Sequence, residues 1–144
     1  MSGLKLDNFF PRVISSKTHS IIDYVHAGAN FAAAALFYKR GNRRAGHAAT
    51  ALGASVLMNA LMTDYEYGVF RVWSFKTHGI LDYSVAAASG ALPRLLRLKK
   101  ARDAAFFYTQ GSAETVIAGL SDYDDDSGSK RQLQLLRDRN RRAA

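Results

Sequence analysis

The sequence predicts an all-α fold, a four-helix bundle built from two duplicated helical hairpins with pseudo-twofold symmetry. Nearly half of the residues are apolar, only two are proline, and β-branched residues form no alternating runs. The segments Arg12–Tyr24 and Arg71–Tyr83 share nine of thirteen residues. A second match, "MTDYEYG" at 62–68 with "LSDYDDD" at 120–126, follows each copy at nearly the same offset. A repeat with two anchors in a short chain indicates a closed, duplicated domain.

Each element of the first copy follows from local signals. Thr18 is expected to cap the first helix, because a threonine oxygen can accept a first-turn amide. This helix runs to about Tyr38, and the breakers within Lys39–Gly46 predict a turn. The second helix is predicted from about Ala45 to Thr63.

The second copy repeats this pattern. Thr77 is the expected cap of a third helix that starts at His78. Pro93 is expected to kink or end that helix, because proline lacks an amide hydrogen. The fourth helix covers roughly Ala101 to Leu120.

These elements predict a bundle domain at 1–124, with repeats at about 12–66 and 71–124. A charged C-terminal tail follows at 125–144, with a possible short helix at "KRQLQLLRDRNRR". The absence of cysteine excludes disulfides, thiolate metal sites and cysteine nucleophiles. The net charge of +8 favours an anionic partner. Nucleic acid is not expected, because no aromatic residues interleave the basic tail.

The helices present apolar stretches of about 18 residues, close to the length that spans a bilayer. An aromatic-rich linker at 65–75 would suit the lipid–water boundary, and the basic turns would suit the cytoplasmic side. The turns contain Lys39, Arg40, Arg43, Arg44, Arg94, Arg97, Lys99, Lys100 and Arg102. We therefore predict an integral protein of the bacterial inner membrane, with a cytoplasmic helical bundle as the alternative.

Polar side chains interrupt every predicted helix. The first helix carries them at i, i+4, i+7 and i+11, which is one helical stripe: His19, Asp23, His26 and Asn30. The third helix offers His78 and Asp82, and the fourth offers Gln110 and Glu114. In a bundle these stripes are expected to meet near the axis, where buried polar groups need partners.

Three roles for the stripe stay open. The first is structural, with each His–Asp pair bonding the other repeat through two sets of anchors: Thr63, Asp64, Tyr65 and Ser121, Asp122, Tyr123. The second is a metal, haem or small-ligand site, with His19, His78 and Glu114 as the candidate metal ligands. The third is proton or ion handling, or an enzyme with Glu114 as general acid or base. The sequence favours a role without catalysis, and it identifies no cofactor.

The motifs "KTHGILDY" and "LMTDYEYGVFRV", within a duplicated hairpin, resemble the SPW-repeat family of small bacterial proteins with four membrane helices. The similarity covers roughly Arg12 to Asp124, and the Ser-Pro-Trp signature itself is absent. The matching positions are His19, Asp23, His78, Asp82 and the segment 63–65. The resemblance implies a membrane protein without a defined activity. Together with the charges it predicts an accessory or structural subunit of a membrane assembly, which contacts anionic lipid headgroups at its basic turns and other subunits of the complex.

Overall fold

The computed structural model describes residues 10–125 and 127–143, which form five helices and a two-stranded sheet. The helices are α1 (Ser16–Lys39), α2 (Arg43–Met62), α3 (Phe75–Leu95), α4 (Ala101–Leu120) and α5 (Ser127–Ala143). The strands are β1 (Thr63–Asp64) and β2 (Trp73–Ser74). The prediction of an all-α chain is confirmed at this level. The predicted domain and tail bounds also cover residues 1–9, 126 and 144, which lie outside the described residues.

Serine residues cap the two helices that begin the predicted repeats. The Ser15 hydroxyl accepts a hydrogen bond from the Thr18 amide, and the Ser74 hydroxyl accepts one from the Thr77 amide. The predicted threonine caps therefore lie three residues inside their helices, because a serine at the same spacing precedes each one. Pro93 lies within α3, which continues to Leu95.

The helices pack mainly as two pairs, α1 along α2 and α3 along α4, and α2 also contacts α3. Alanines at the α1–α2 contact allow a close approach, as the full burial of Ala45 and Ala49 indicates. Two phenylalanines join the two helix pairs near the α1–α2 and α3–α4 connections. The rings of Phe37 and Phe107 stack with their centroids 5.8 Å apart.

Two short backbone pairings close the opposite end. β1 and β2 run parallel, with Thr63 opposite Trp73, so the end of α2 lies beside the start of α3. A parallel bridge between Ile14 and Ser121 likewise places the start of α1 beside the end of α4. The first turns of α1 and α3 therefore lie at the same end as the last turns of α2 and α4.

The prediction of a membrane protein is wrong. Within the described part of the chain, no helix combines the length and mean hydropathy that crossing a bilayer requires. Polar residues keep each helix below that threshold, even though its apolar stretch is nearly long enough. The predicted transmembrane helices, the inner-membrane location and the role as a subunit of a membrane assembly are corrected accordingly.

Gly111 provides a test of the close packing between α3 and α4. A Cβ atom there would lie 2.7 Å from the backbone oxygen of Ala86 and 3.2 Å from the amide nitrogen of Gly90. We expect Gly111→Ala to lower the free energy of unfolding by about 1–3 kcal/mol, since the helices must separate. The control is Gly28→Ala in α1, where a Cβ meets nothing within 4 Å. It should raise that free energy by about 0.5–1 kcal/mol.

Urea denaturation followed by circular dichroism measures both changes. Equal stabilisation by the two substitutions would contradict the described packing of α3 against α4.

Candidate functional site

Four ionisable side chains meet between the first turns of α1 and α3. His19 and Asp23 lie on one face of α1, and His78 and Asp82 lie at the matching positions of α3. The four residues are only 0–3% exposed to solvent. We call this group the His/Asp cluster. Such burial is costly for charged groups unless they satisfy one another.

The reactive atoms of the cluster converge on a single point. The Nε2 atoms of His19 and His78 lie 3.0 Å apart. The Asp23 carboxylate presents one oxygen to each of these nitrogens, at 3.3 Å in both cases. The Oδ2 atom of Asp82 lies 3.2 Å from the His19 nitrogen and 3.1 Å from the His78 nitrogen. Two nitrogens and two carboxylates therefore surround one small volume.

Hydroxyl groups orient the outer edge of each imidazole. The Ser121 hydroxyl donates to the Ile117 carbonyl, so its oxygen accepts a hydrogen bond from His19 Nδ1 at 2.6 Å. The Thr63 hydroxyl donates to the Asn59 carbonyl, so its oxygen accepts one from His78 Nδ1 at 2.7 Å. Both Nδ1 atoms thus carry hydrogen. The lone pair of a neutral imidazole is then on Nε2, which faces the centre of the cluster.

Neutral side chains donate hydrogen bonds to the carboxylates of Asp23 and Asp82. The Tyr65 hydroxyl donates to Asp23 Oδ2 at 2.7 Å, and the Asn59 side-chain amide donates to Asp82 Oδ1 at 3.0 Å. The Tyr123 hydroxyl makes a longer contact of 3.4 Å with Asp82. These bonds leave the remaining carboxylate lone pairs directed at the imidazoles.

Electrostatics couple the histidines to the aspartates. Burial opposes a charge on His19, but hydrogen bonds to Asp23 and Asp82 outweigh it and raise the pKa of His19 to about 9. Burial likewise opposes ionisation of Asp82, yet hydrogen bonds from the two histidines lower its pKa to about 2. Burial and the nearby carboxylates raise the pKa of the Tyr65 and Tyr123 phenols, which keeps them protonated as donors.

The donor set matches the requirements of a transition-metal ion. One ligand atom from each of His19, Asp23 and His78 lies within 4.8 Å of the others. Asp82 Oδ2 lies within 3.2 Å of both histidine nitrogens. Metal–ligand bonds of about 2.1 Å place neighbouring ligand atoms about 3.0–3.4 Å apart, in octahedral or tetrahedral geometry. The nitrogen–nitrogen and nitrogen–oxygen separations of 3.0–3.3 Å fall in this interval.

The other predicted stripe residues form a second buried group farther along α1. His26 Nδ1 lies 2.6 Å from Glu114 Oε2 of α4, and Gln110 lies against the same imidazole. The Asn30 amide donates to the His26 carbonyl at 3.0 Å. Glu114 was predicted as a possible metal ligand beside His19 and His78. In this structure Glu114 is instead paired with His26, and aspartates contact His19 and His78.

The predicted anchors divide between the cluster and the surface. Thr63, Tyr65, Ser121 and Tyr123 contact the cluster as described above. Asp64 instead pairs with Arg71 at 2.9 Å, and Asp122 lies 3.8 Å from Arg12.

Sequence reasoning missed Trp73, whose indole donates to Asn59 Oδ1 at 3.1 Å. Because Trp73 lies in the aromatic linker, its position suggested the lipid–water boundary. The sequence signal that could have linked it to the His/Asp cluster is its place just before the second "KTH" motif.

Comparisons with protein-family models, curated proteins and solved structures find no match to this chain. The resemblance to the SPW-repeat family stays a prediction that these comparisons do not test. The assignment of function therefore depends on the site itself.

The pair His26–Glu114 generates a testable pH dependence. Burial opposes the His26 charge, but the hydrogen bond and charge of Glu114 raise the pKa of His26 above its ordinary value of 6.5. Glu114→Gln removes the carboxylate and leaves the burial, so we expect the pKa of His26 to fall below 6.5. NMR titration of the His26 ring protons measures the change.

The matched control is Glu66→Gln, the same substitution at the chain's other glutamate, which is half-buried outside this group. An unchanged His26 titration in Glu114→Gln would show that the two side chains are not paired in solution.

Proposed function

We propose that the protein is a metal-binding four-helix bundle, which holds one divalent first-row transition-metal ion in the His/Asp cluster between two duplicated hairpins. The observation that carries the proposal is the convergence of four donor groups at 3.0–3.3 Å, with both histidine Nε2 atoms turned inward. Hydrogen bonds donated by the outer Nδ1–H groups are typical of histidines that ligate metals.

Charge balance favours a divalent cation over protons alone. With protons on both Nε2 atoms, His19 and His78 could each donate to a carboxylate, but two positive imidazoles would then present nitrogens only 3.0 Å apart. One shared proton supplies a single positive charge against two buried carboxylates. A divalent ion bound to neutral imidazoles balances both carboxylates and accepts all the lone pairs that face the centre.

Equivalent contacts in the two halves support the duplicated bundle. His19 bonds Ser121 from the other repeat, and His78 bonds Thr63 from the other repeat. The parallel bridge of Ile14 with Ser121 likewise corresponds to that of Trp73 with Thr63, at offsets of 59 and 58 along the chain. A ligand on the pseudo-twofold axis would contact both repeats in the same way.

The donor types narrow the choice of ligand. Two imidazoles with two carboxylates suit Zn²⁺, Fe²⁺ or Co²⁺, whereas Ca²⁺ and Mg²⁺ prefer oxygen ligands alone. A haem would need its flat macrocycle between the two histidines, and nitrogens 3.0 Å apart leave no room for it. Four protein ligands with 0–3% exposure make a closed site, which is typical of a structural metal. The bound ion would fasten α1 to α3. Catalysis through Glu114 stays an untested hypothesis.

Metal titration of protein treated with a chelator tests this proposal. We expect Zn²⁺ and Co²⁺ to bind at one site per chain and to raise the melting temperature, because they stabilise only the folded state. Ca²⁺ should have no effect at the same concentration. Tyr65→Phe removes a hydrogen bond behind Asp23 and should weaken Zn²⁺ binding about 10–100-fold. Asp82→Asn removes a ligand charge and should weaken it more.

The controls are the same two substitutions at exposed positions, Tyr67→Phe and Asp138→Asn, which should leave Zn²⁺ affinity unchanged. Circular dichroism confirms folding of each variant, and Tyr65→Phe keeps the test decisive if Asp82→Asn unfolds. Zn²⁺ binding of wild-type strength in both cluster variants would place the metal elsewhere and refute the proposal.

A further inference from the structure

The end of the molecule opposite the His/Asp cluster is strongly basic. The connections α1–α2 and α3–α4 both lie there, and residues 36–48 and 91–108 contain nine lysines and arginines. Asp103 is the only acid in these segments, and it is 2% exposed. It accepts a hydrogen bond from the Asn42 side chain at 2.7 Å. The surface at this end therefore carries positive charge that this acid cannot balance.

A cleft of about 320 Å³ separates the two connections. Five exposed basic residues line it: Arg40, Arg44, Arg97, Lys99 and Lys100. The described lining includes no acidic residue. We call this feature the basic cleft. Mutual repulsion among five cations opposes this arrangement, and a bound anion relieves it.

The first turns of two helices add backbone amides beside the cleft. α2 begins at Arg43 and α4 at Ala101, and the carboxyl ends of α1 and α3 lie at the same end, so the four helix dipoles largely offset one another. Among the described residues, no side chain caps the first turn of α4. Phosphate oxygens are well suited to accept from such amides and from arginine side chains.

We propose that the basic cleft binds a small polyanion that carries two or three phosphate groups. A single phosphate leaves most of the five lining cations unbalanced, whereas a triphosphate chain balances nearly all of them. The cleft volume lies at the lower end of the range for small-molecule sites, about 300–1,000 Å³. Free polyphosphates and phosphorylated lipid headgroups share this chemistry. This site is independent of the proposed metal, because the two lie at opposite ends of the helices.

A substitution of Arg97 separates a role in binding the anion from a role in folding. Its backbone is in the left-handed region, with φ of 51°, where glycine is the preferred residue. Arg97→Gly removes this strain together with one of the repelling charges, so we expect a higher melting temperature. The same substitution removes a ligand of the anion, so we expect weaker binding. A purely structural role for Arg97 predicts the reverse effect on stability.

Calorimetric titration of the full-length chain with sodium tripolyphosphate at low ionic strength tests the site. We expect one-site binding, at least about tenfold weaker in the double variant Arg44→Gln/Lys100→Gln, since two of five phosphate contacts are lost. The matched control is Arg139→Gln/Arg141→Gln on exposed positions of α5, which changes the net charge equally. Its affinity should equal that of the wild type.

Co-sedimentation with vesicles that contain cardiolipin, whose headgroup carries two phosphates, distinguishes the source of the phosphate, and neutral phosphatidylcholine vesicles serve as the blank. Binding to anionic vesicles alone, lost in the Arg44/Lys100 variant, identifies a headgroup ligand and supports the cleft. Binding of tripolyphosphate alone identifies a soluble ligand and also supports it. Failure to bind either probe overturns the proposal, as does an equal loss in the α5 control.

Discussion

Two histidines and two aspartates are buried around one point, and their burial determines which residues must surround them. Each of these side chains loses its hydration, so each needs a protein partner in fixed geometry. Tyr65 and Asn59 serve the carboxylates, while Thr63 and Ser121 serve the imidazoles. These partners come from the ends of α2 and α4 and from the residues just beyond them. The short parallel pairings close this end of the molecule because they bring those chain ends beside the starts of α1 and α3.

Much of this arrangement was predictable from the sequence, for physical reasons. The i, i+4 spacing of His19 and Asp23 places them on one helix face, and the repeat in the chain predicts a matching pair. The sequence also predicts that the polar stripes meet near the axis, but not which side chains pair there, because sequence spacing carries no distance between helices. Glu114 illustrates this limit: its partner His26 lies on another helix, 88 positions earlier in the chain. The membrane prediction failed for a different reason. The length of the apolar stretches suggested helices that span a membrane. However, the polar side chains that bond one another inside the protein also lower the mean hydropathy of each helix.

The two ends of the molecule differ in chemistry. One end has buried charges in close mutual contact, and its exposed Asp124 pairs with Arg12 and Lys76. The other end has a stacked aromatic core beneath a surface of uncompensated arginines and lysines. A ligand at the first end would act on stability, because it joins helices. A ligand at the second end is not needed for folding, because the cations there are already exposed and the fold does not require them to be neutralised.

Anomalous X-ray diffraction from crystals grown with Zn²⁺ tests the central claim most directly. Data collected on both sides of the zinc absorption edge locate the ion without reference to activity. We expect one strong peak per chain between the Nε2 atoms of His19 and His78, with Asp23 and Asp82 as the remaining ligands. A cluster free of anomalous density, with the two nitrogens still 3.0 Å apart and zinc bound only at the surface, would contradict this expectation.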